Sequence, residues 1–204
     1  MSKRYFRIML AVLLAGGPAI GTVAQSPAEA VCPLKVNSGV PAVAVKDAQG
    51  TAVKLQELIG DKPTVVVFYR GGWCGYCNRQ LSDLQAHTEQ LAAAGYQLLA
   101  ISPDLVVKSK DALAEHGLTF PLYADNRLEA AQAFGVAFQL SEEMQAKMRK
   151  YNIALDQWSG EDTQMLPVPA VFVFKDGKVQ FQHVNPDYSK RLEAAVLVQL
   201  LNAL

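Results

Sequence analysis

Apolar and polar positions divide the chain into segments of contrasting period. Thr64–Tyr69 is a continuous β-branched and aromatic run with no polar face, the pattern of a strand covered on both sides. The period then changes: Cys77, Leu81, Leu84, Thr88 and Leu91 recur at helical spacing, from Cys74 to a stop at Gly95. A strand over Tyr96–Ser102, a helix over Val106–His116, a strand over Phe120–Tyr123 and a helix over Arg127–Phe134 continue the alternation. Such alternation predicts parallel strands with helices packed on them, an α/β fold. Upstream, Ala42–Val45 and Thr51–Lys54 flank turn residues as a hairpin, followed by a short helix over Leu55–Ile59. Downstream, Ser141–Leu155 predicts one helix and Ser159–Gln164 a polar loop. Ala170–Phe174 and Val179–His183 then form a second hairpin, and a last helix begins near Ser189.

The first residues follow a different logic. Lys3, Arg4 and Arg7 precede a short apolar run, Ile8–Ala15, which Gly16, Gly17 and Pro18 interrupt. This is a signal-peptide pattern, with cleavage expected after Ala24, and the run ends too soon to span a bilayer. Residues 1–24 are therefore assigned to the signal peptide and 31–204 to one domain, exported to the periplasm or cell exterior of a bacterium. Half of the 204 residues are hydrophobic, enough for a sizeable core.

Charge narrows the partners. Lys and Arg number 19 and so do Asp and Glu; loss of Lys3, Arg4 and Arg7 leaves 19 − 3 = 16 basic residues, a mildly acidic mature chain. Neither nucleic acid nor an anionic membrane surface is an expected partner.

The chemistry sits where strand period gives way to helix period. A Cys-x-x-Cys there, Cys74 and Cys77, places the first sulfur at a helix N-terminus, where unpaired amides and the positive end of the dipole favour thiolate. Cys74 is the expected nucleophile, and Cys77, one turn on, the resolving thiol that forms the redox disulfide with it. Zinc would need two further ligands, and neither a second Cys-x-x-Cys nor a His pair is present, so no metal is expected. His87, His116 and His183 lie on separate elements and receive no role. Cys32, the third cysteine, reads as a spare thiol or an intermolecular link.

The segment Phe68-Tyr69-Arg70-Gly71-Gly72-Trp73-Cys74-Gly75-Tyr76-Cys77 resembles the active-site segment of peroxiredoxin-like proteins in the alkyl hydroperoxide reductase/thiol-specific antioxidant group. Ile101-Ser102-Pro103-Asp104, Gly117-Leu118-Thr119-Phe120-Pro121-Leu122 and Leu166-Pro167-Val168-Pro169-Ala170 are similar to later segments of that group in the same order. The resemblance implies a thioredoxin-like fold: a central mixed sheet flanked by helices, here with an N-terminal hairpin extension. It also implies a cis-proline at Pro169 that faces the cysteine pair and helps hold an extended substrate; the alternative is a trans proline opening a strand.

Departures from the group matter as well. Its peroxidatic pattern, Pro-x-x-x-Thr-x-x-Cys, meets Val67 and Gly71 here, so neither the proline nor the threonine of the peroxide-activating pattern is present, and backbone amides at the helix start and Arg70 are left as the donors. Thioredoxins keep a buried acid six positions before the first cysteine, where this chain has Phe68, and the proton acceptor for Cys77 is not identified. Gly75-Tyr76 is similar to the dipeptide of bacterial periplasmic disulfide isomerases. Arg70 either lowers the Cys74 pKa or covers Trp73 and Tyr69, and Trp73 is expected to pack beside the sulfur and shape the substrate site.

Three functions follow in order. The first is thiol-disulfide exchange without metal or organic cofactor, acting on protein or small-molecule thiols and disulfides and recycled by an external redox partner. The second is a thiol-dependent peroxidase with Cys74 peroxidatic and Cys77 resolving, for which hydroperoxides are the substrates. The third is a Cu(I)-binding chaperone using the two thiolates as soft ligands.

Overall fold

Thr64–Phe68 forms β3, the central strand, in a computed structural model that describes residues 27–204. The signal-peptide assignment lies outside the described residues. Every β3 residue is buried, because each face of the strand meets its own apolar layer. Val65, Val67 and Tyr69 face one layer and Val66 and Phe68 the other, as the two-residue repeat of a strand requires.

The elements run β1 (Ala44–Lys46), β2 (Ala52–Lys54), α1 (Leu55–Ile59), β3, α2 (Gly75–Ala86), α3 (Thr88–Ala93), β4 (Gln97–Ser102), α4 (Val106–His116) and β5 (Leu122–Ala124). They continue with α5 (Glu129–Ala133), β6 (Ala137–Gln139), α6 (Glu142–Lys150), α7 (Leu155–Ser159), β7 (Met165–Pro167), β8 (Ala170–Lys175), β9 (Lys178–Val184) and α8 (Ala194–Leu201). The main sheet has the order β2-β1-β5-β4-β3-β8-β9. Its centre, β3-β4-β5, is parallel, while β8 pairs antiparallel with both β3 and β9, and β1 with β2 and β5. The mixed α/β sheet with an N-terminal hairpin is thus the architecture expected of a thioredoxin-like fold.

One layer joins β3, β4 and β8 to α2, α3 and α8, through Cys77, Leu81, Leu84, Leu91 and Leu197. The other gathers Leu55 and Ile59 of α1 with Phe68, Phe134, Phe172 and Phe174, whose rings pack with centroids 4.8 to 6.2 Å apart. Asp125 starts α5: its carboxylate accepts the N–H groups of Ala130 and Ala131 at 3.0 and 2.8 Å, and burial pushes its pKa up to about 7.

Several expectations are corrected. The helix after Cys74 breaks at His87, where φ −113° and ψ 9° end α2 before α3 begins. The helix expected over Ser141–Leu155 is two helices: Ser141 caps α6 by accepting the Met144 N–H at 3.2 Å, and the chain then turns through Asn152 at φ 56° into α7. β6 and β7 form a separate antiparallel pair that the apolar pattern does not announce. The last helix begins at Ala194, five positions later than expected, where Asp83 of α2 accepts the Ala194 N–H at 2.8 Å. Pro169 is trans, since no cis peptide occurs among the described residues. It continues the extended path from β7 into β8, with the Val168 N–H bonded to Val136 at 2.8 Å, so the ordinary trans preference stands. Among the described residues no helix is long and apolar enough to cross a membrane.

Candidate active site

The end of β3 delivers the cysteine segment to the top of α2. Cys74 is the residue before the helix, with extended φ −94° and ψ 104°, and its carbonyl accepts the N–H groups of Cys77 and Asn78 at 2.8 and 3.0 Å. Cys74 and Cys77 are joined as a disulfide with Cα atoms 5.2 Å apart, inside the ordinary range. Their environments differ. Cys77 is 0% exposed in the α2 layer, while Cys74, at 4%, opens onto a cavity of about 250 Å³.

Gly72 is held from both sides: its N–H donates to Asp104 Oδ2 at 2.8 Å and its carbonyl accepts from Asn78 Nδ2 at 2.8 Å. Asp104 lies beyond the end of β4 and is 0% exposed, and burial pushes its pKa up to about 6. Tyr69, buried beside Ser102 and Ser109, is likewise driven far above the ordinary phenol value, by burial first and then by the Asp104 charge. Gly71 sits at φ 140°, and a Cβ there would lie 2.5 Å from Trp73 Nε1 and 2.7 Å from Asp104 Oδ1. The position that carries threonine in the peroxidatic pattern therefore has no room for a side chain.

Arg70 is 4% exposed and sandwiched between two rings, 4.9 Å from the centre of Trp73 and 4.2 Å from that of Tyr188. Arg70 covers Trp73 and also puts a cation at the cavity wall shared with Cys74. Burial lowers its pKa to about 10, which leaves it charged at neutral pH. Its Nε has no hydrogen-bond partner among the described residues. The outer wall comes from α6 and the turn after it, with Met144, Met148, Tyr151 and Ile153 beside Lys147. Trp73 packs against Leu140, Met148, Leu155 and Leu166 and lines the cavity together with Cys74.

One residue reaches the buried sulfur from far away in sequence. Arg191, in the loop before α8, donates from Nη2 to Cys77 Sγ at 3.4 Å. Burial, and then the neighbouring Arg70 charge, lower its pKa to about 10. Tyr188, from the same loop, packs edge-on against Tyr76 at 5.8 Å. Pro169 is buried where β8 starts alongside the end of β3, and is not among the residues lining the Cys74 cavity. Cys32 is exposed, on the segment whose Leu34 packs with the opposite apolar layer. No cluster of three or more His, Cys, Asp or Glu side chains is arranged to hold a metal among the described residues.

The family profile described as the AhpC/TSA family matches residues 36–182. The chain belongs to the AhpC/TSA family. A candidate peroxiredoxin of Mycobacterium tuberculosis is 33% identical over 95 residues, which is 47% of this chain and 60% of that protein. The peroxiredoxin Bcp of Escherichia coli K12 is 29% identical over 104 residues, 51% of this chain and 66% of its own length. The alignments thus span about two thirds or less of these relatives. Among solved structures, the peroxidoxin BcpB of Mycobacterium tuberculosis superposes with a TM-score of 0.64 at 21% identity, covering 84% of this chain and 98% of that one. Reduced Prx3 of Vibrio vulnificus in complex with hydrogen peroxide gives 0.68 at 14% identity, covering 82% and 99%. These likenesses show that this AhpC/TSA chain shares the peroxiredoxin fold.

Sequence reasoning missed Arg191, Tyr188, Asp104 and the α6 wall. Asp104 had a signal, since it closes the Ser102-Pro103-Asp104 segment shared with the AhpC/TSA group. Arg191 had none: it lies 114 positions from Cys77, in a stretch read as helix.

Proposed function

We propose that this AhpC/TSA protein is an exported thiol-disulfide oxidoreductase that cycles Cys74 and Cys77 between dithiol and disulfide. The observation that carries the reading is the asymmetry of the pair: Cys74 opens to a cavity, while its partner one turn on is 0% exposed. A substrate thiol or disulfide can meet Cys74, and Cys77 can close the cycle from within. The filled space at Gly71 supports exchange over peroxide chemistry, because a peroxidase needs placed donors for the departing oxygen and no side chain fits there. Export, with a mature chain starting near Gln25, belongs to the same proposal and is checked by mass spectrometry of the periplasmic or secreted product.

A second reading, a thiol-dependent peroxidase, is favoured by the family and by the unpartnered Arg70 Nε at the cavity. In it the Cys74 thiolate attacks the peroxide, an alkoxide or hydroxide leaves, and Cys77 condenses with the sulfenic acid to release water. Parallel assays of disulfide exchange and hydroperoxide turnover on the mature protein separate the two. Exchange should dominate, Cys74→Ser should abolish both activities, and Cys77→Ser should accumulate a mixed disulfide. Hydrogen peroxide turnover that outpaces exchange makes the second reading the function, and trapping by Cys74→Ser reverses the roles of the cysteines.

A further inference from the structure

Cys77 poses an electrostatic problem. It lies in an apolar layer at 0% exposure, yet disulfide exchange at Cys74 must leave an electron pair on its sulfur. The buried acid that would accept a proton at this point in thioredoxins is replaced by Phe68, which faces the other layer. What touches the sulfur is a cation: Arg191 Nη2, 3.4 Å from Cys77 Sγ, with Nε and Nη1 buried and without a partner among the described residues.

We propose that Arg191 is a catalytic residue of the disulfide cycle, its guanidinium stabilising the Cys77 sulfur as thiolate both when it departs from Cys74 and when it attacks. The proposal rests on reading Cys74 and Cys77 as an exchanging pair. An incoming thiolate attacks Cys74 Sγ, the Cys74–Cys77 bond breaks, and its electron pair stays on Cys77 Sγ. The incoming sulfur is then bonded to Cys74 as a mixed disulfide. In the reverse step the Cys77 thiolate attacks Cys74 Sγ, the internal disulfide reforms, and the pair departs on the other sulfur. Neither step moves a proton on or off Cys77, so a cation serves where a base is absent. The placement is selective: because only Cys74 opens to the cavity, Cys77 is always the departing sulfur, and Arg191 sits on it.

The surroundings are consistent with a guanidinium kept for this contact. The charged and titratable groups facing it are Arg70 from the end of β3, His183 from β9 and Asp187 from its own loop, with Lys190 and Glu193 beside it at the cleft. Arg79 and Asp83 on α2 border the cleft outside. Asp83 is taken by the Ala194 N–H at 2.8 Å and Asp187 by Ser189, whose hydroxyl and N–H donate to it at 2.6 and 3.0 Å. Arg191 makes no ion pair with either carboxylate among the described residues.

The test uses the full mature chain with Cys32→Ser in every sample. In the Cys74→Ser background, the pH midpoint of Cys77 alkylation should lie below the ordinary free-cysteine value of about 8.5 and rise by about two units on Arg191→Met. In the chain with both cysteines, reduction of the disulfide by dithiothreitol should slow about tenfold in Arg191→Met, because a sulfur of higher pKa departs more slowly, and Arg191→Lys should recover most of the rate. A midpoint at or above 8.5 with Arg191 present overturns the proposal whether or not the methionine variant folds. So does an Arg191→Met chain of native circular dichroism with unchanged midpoint and rate. Dithiothreitol needs no physiological substrate, so this outcome is independent of whether the protein exchanges disulfides in the cell.

Discussion

The Asp104 carboxylate accepts the Gly72 N–H at 2.8 Å, so a buried charge beyond the end of β4 holds the segment that presents Cys74. A raised carboxylate pKa means that the native state binds more protons than the unfolded chain between the ordinary value and about 6. The contribution of Asp104 to stability is therefore greatest below the ordinary range and declines as pH rises through about 6. Asp104→Asn keeps an oxygen for the Gly72 N–H and removes the buried charge. It should stabilise the protein by about 1–3 kcal/mol near pH 7.5, and by little near pH 4. Urea unfolding at the two pH values measures this, and a difference independent of pH would show that the charge is not the cause.

Gly71 joins left-handed backbone to a filled space, so replacing it is expected to be severe. Gly71→Thr, which restores the side chain of the peroxidatic pattern, should cost about 2–5 kcal/mol through strain and overpacking against Trp73 and Asp104. It should not raise hydroperoxide turnover. Thermal unfolding and a peroxide assay on the variant check the two parts separately.

Arg70→Met removes the cation between Trp73 and Tyr188 while keeping an apolar filler. Residual hydroperoxide turnover should fall by about a hundredfold, the size of effect seen when one donor to a developing oxyanion is lost. An unchanged rate would assign the ring stack a packing role alone.

Cys32→Ser should leave exchange rates within about twofold, because the thiol is exposed and its segment packs with the layer opposite to that of Cys77. Steady-state exchange kinetics decide it. A larger loss would point to Cys32 as a participant in transferring electrons to the pair.

The parts of the fold and site that could be read in advance are those with local causes. The unbroken apolar run of β3 and the change of period at Cys74 have physical causes within a few residues, and both appear where expected. Val106–His116 matches its helix at both ends, closed by Gly117 at φ 60°. The misplaced boundaries have distant causes. The start of α8 depends on a carboxylate of α2, and the split of α6 from α7 on a left-handed Asn152. The site follows the same division. Cys74, Cys77, Trp73 and Arg70 form one contiguous segment, whereas Asp104 and Arg191 arrive from the turn after β4 and the loop before α8, brought by folding and not by sequence proximity.

The difference in access between the two sulfurs has a kinetic consequence. With Cys77 at 0% exposure and Cys74 at the wall of a single cavity, electron donor and electron acceptor must use the same doorway. Under the proposed exchange activity they could not be bound to the disulfide together, so turnover would proceed by alternation: one partner leaves before the other arrives, and the protein holds the two electrons in between. Initial-rate plots at several fixed concentrations of one partner should therefore give parallel lines, the signature of ping-pong kinetics, and each partner in excess should inhibit the other by occupying the cavity in the wrong redox state.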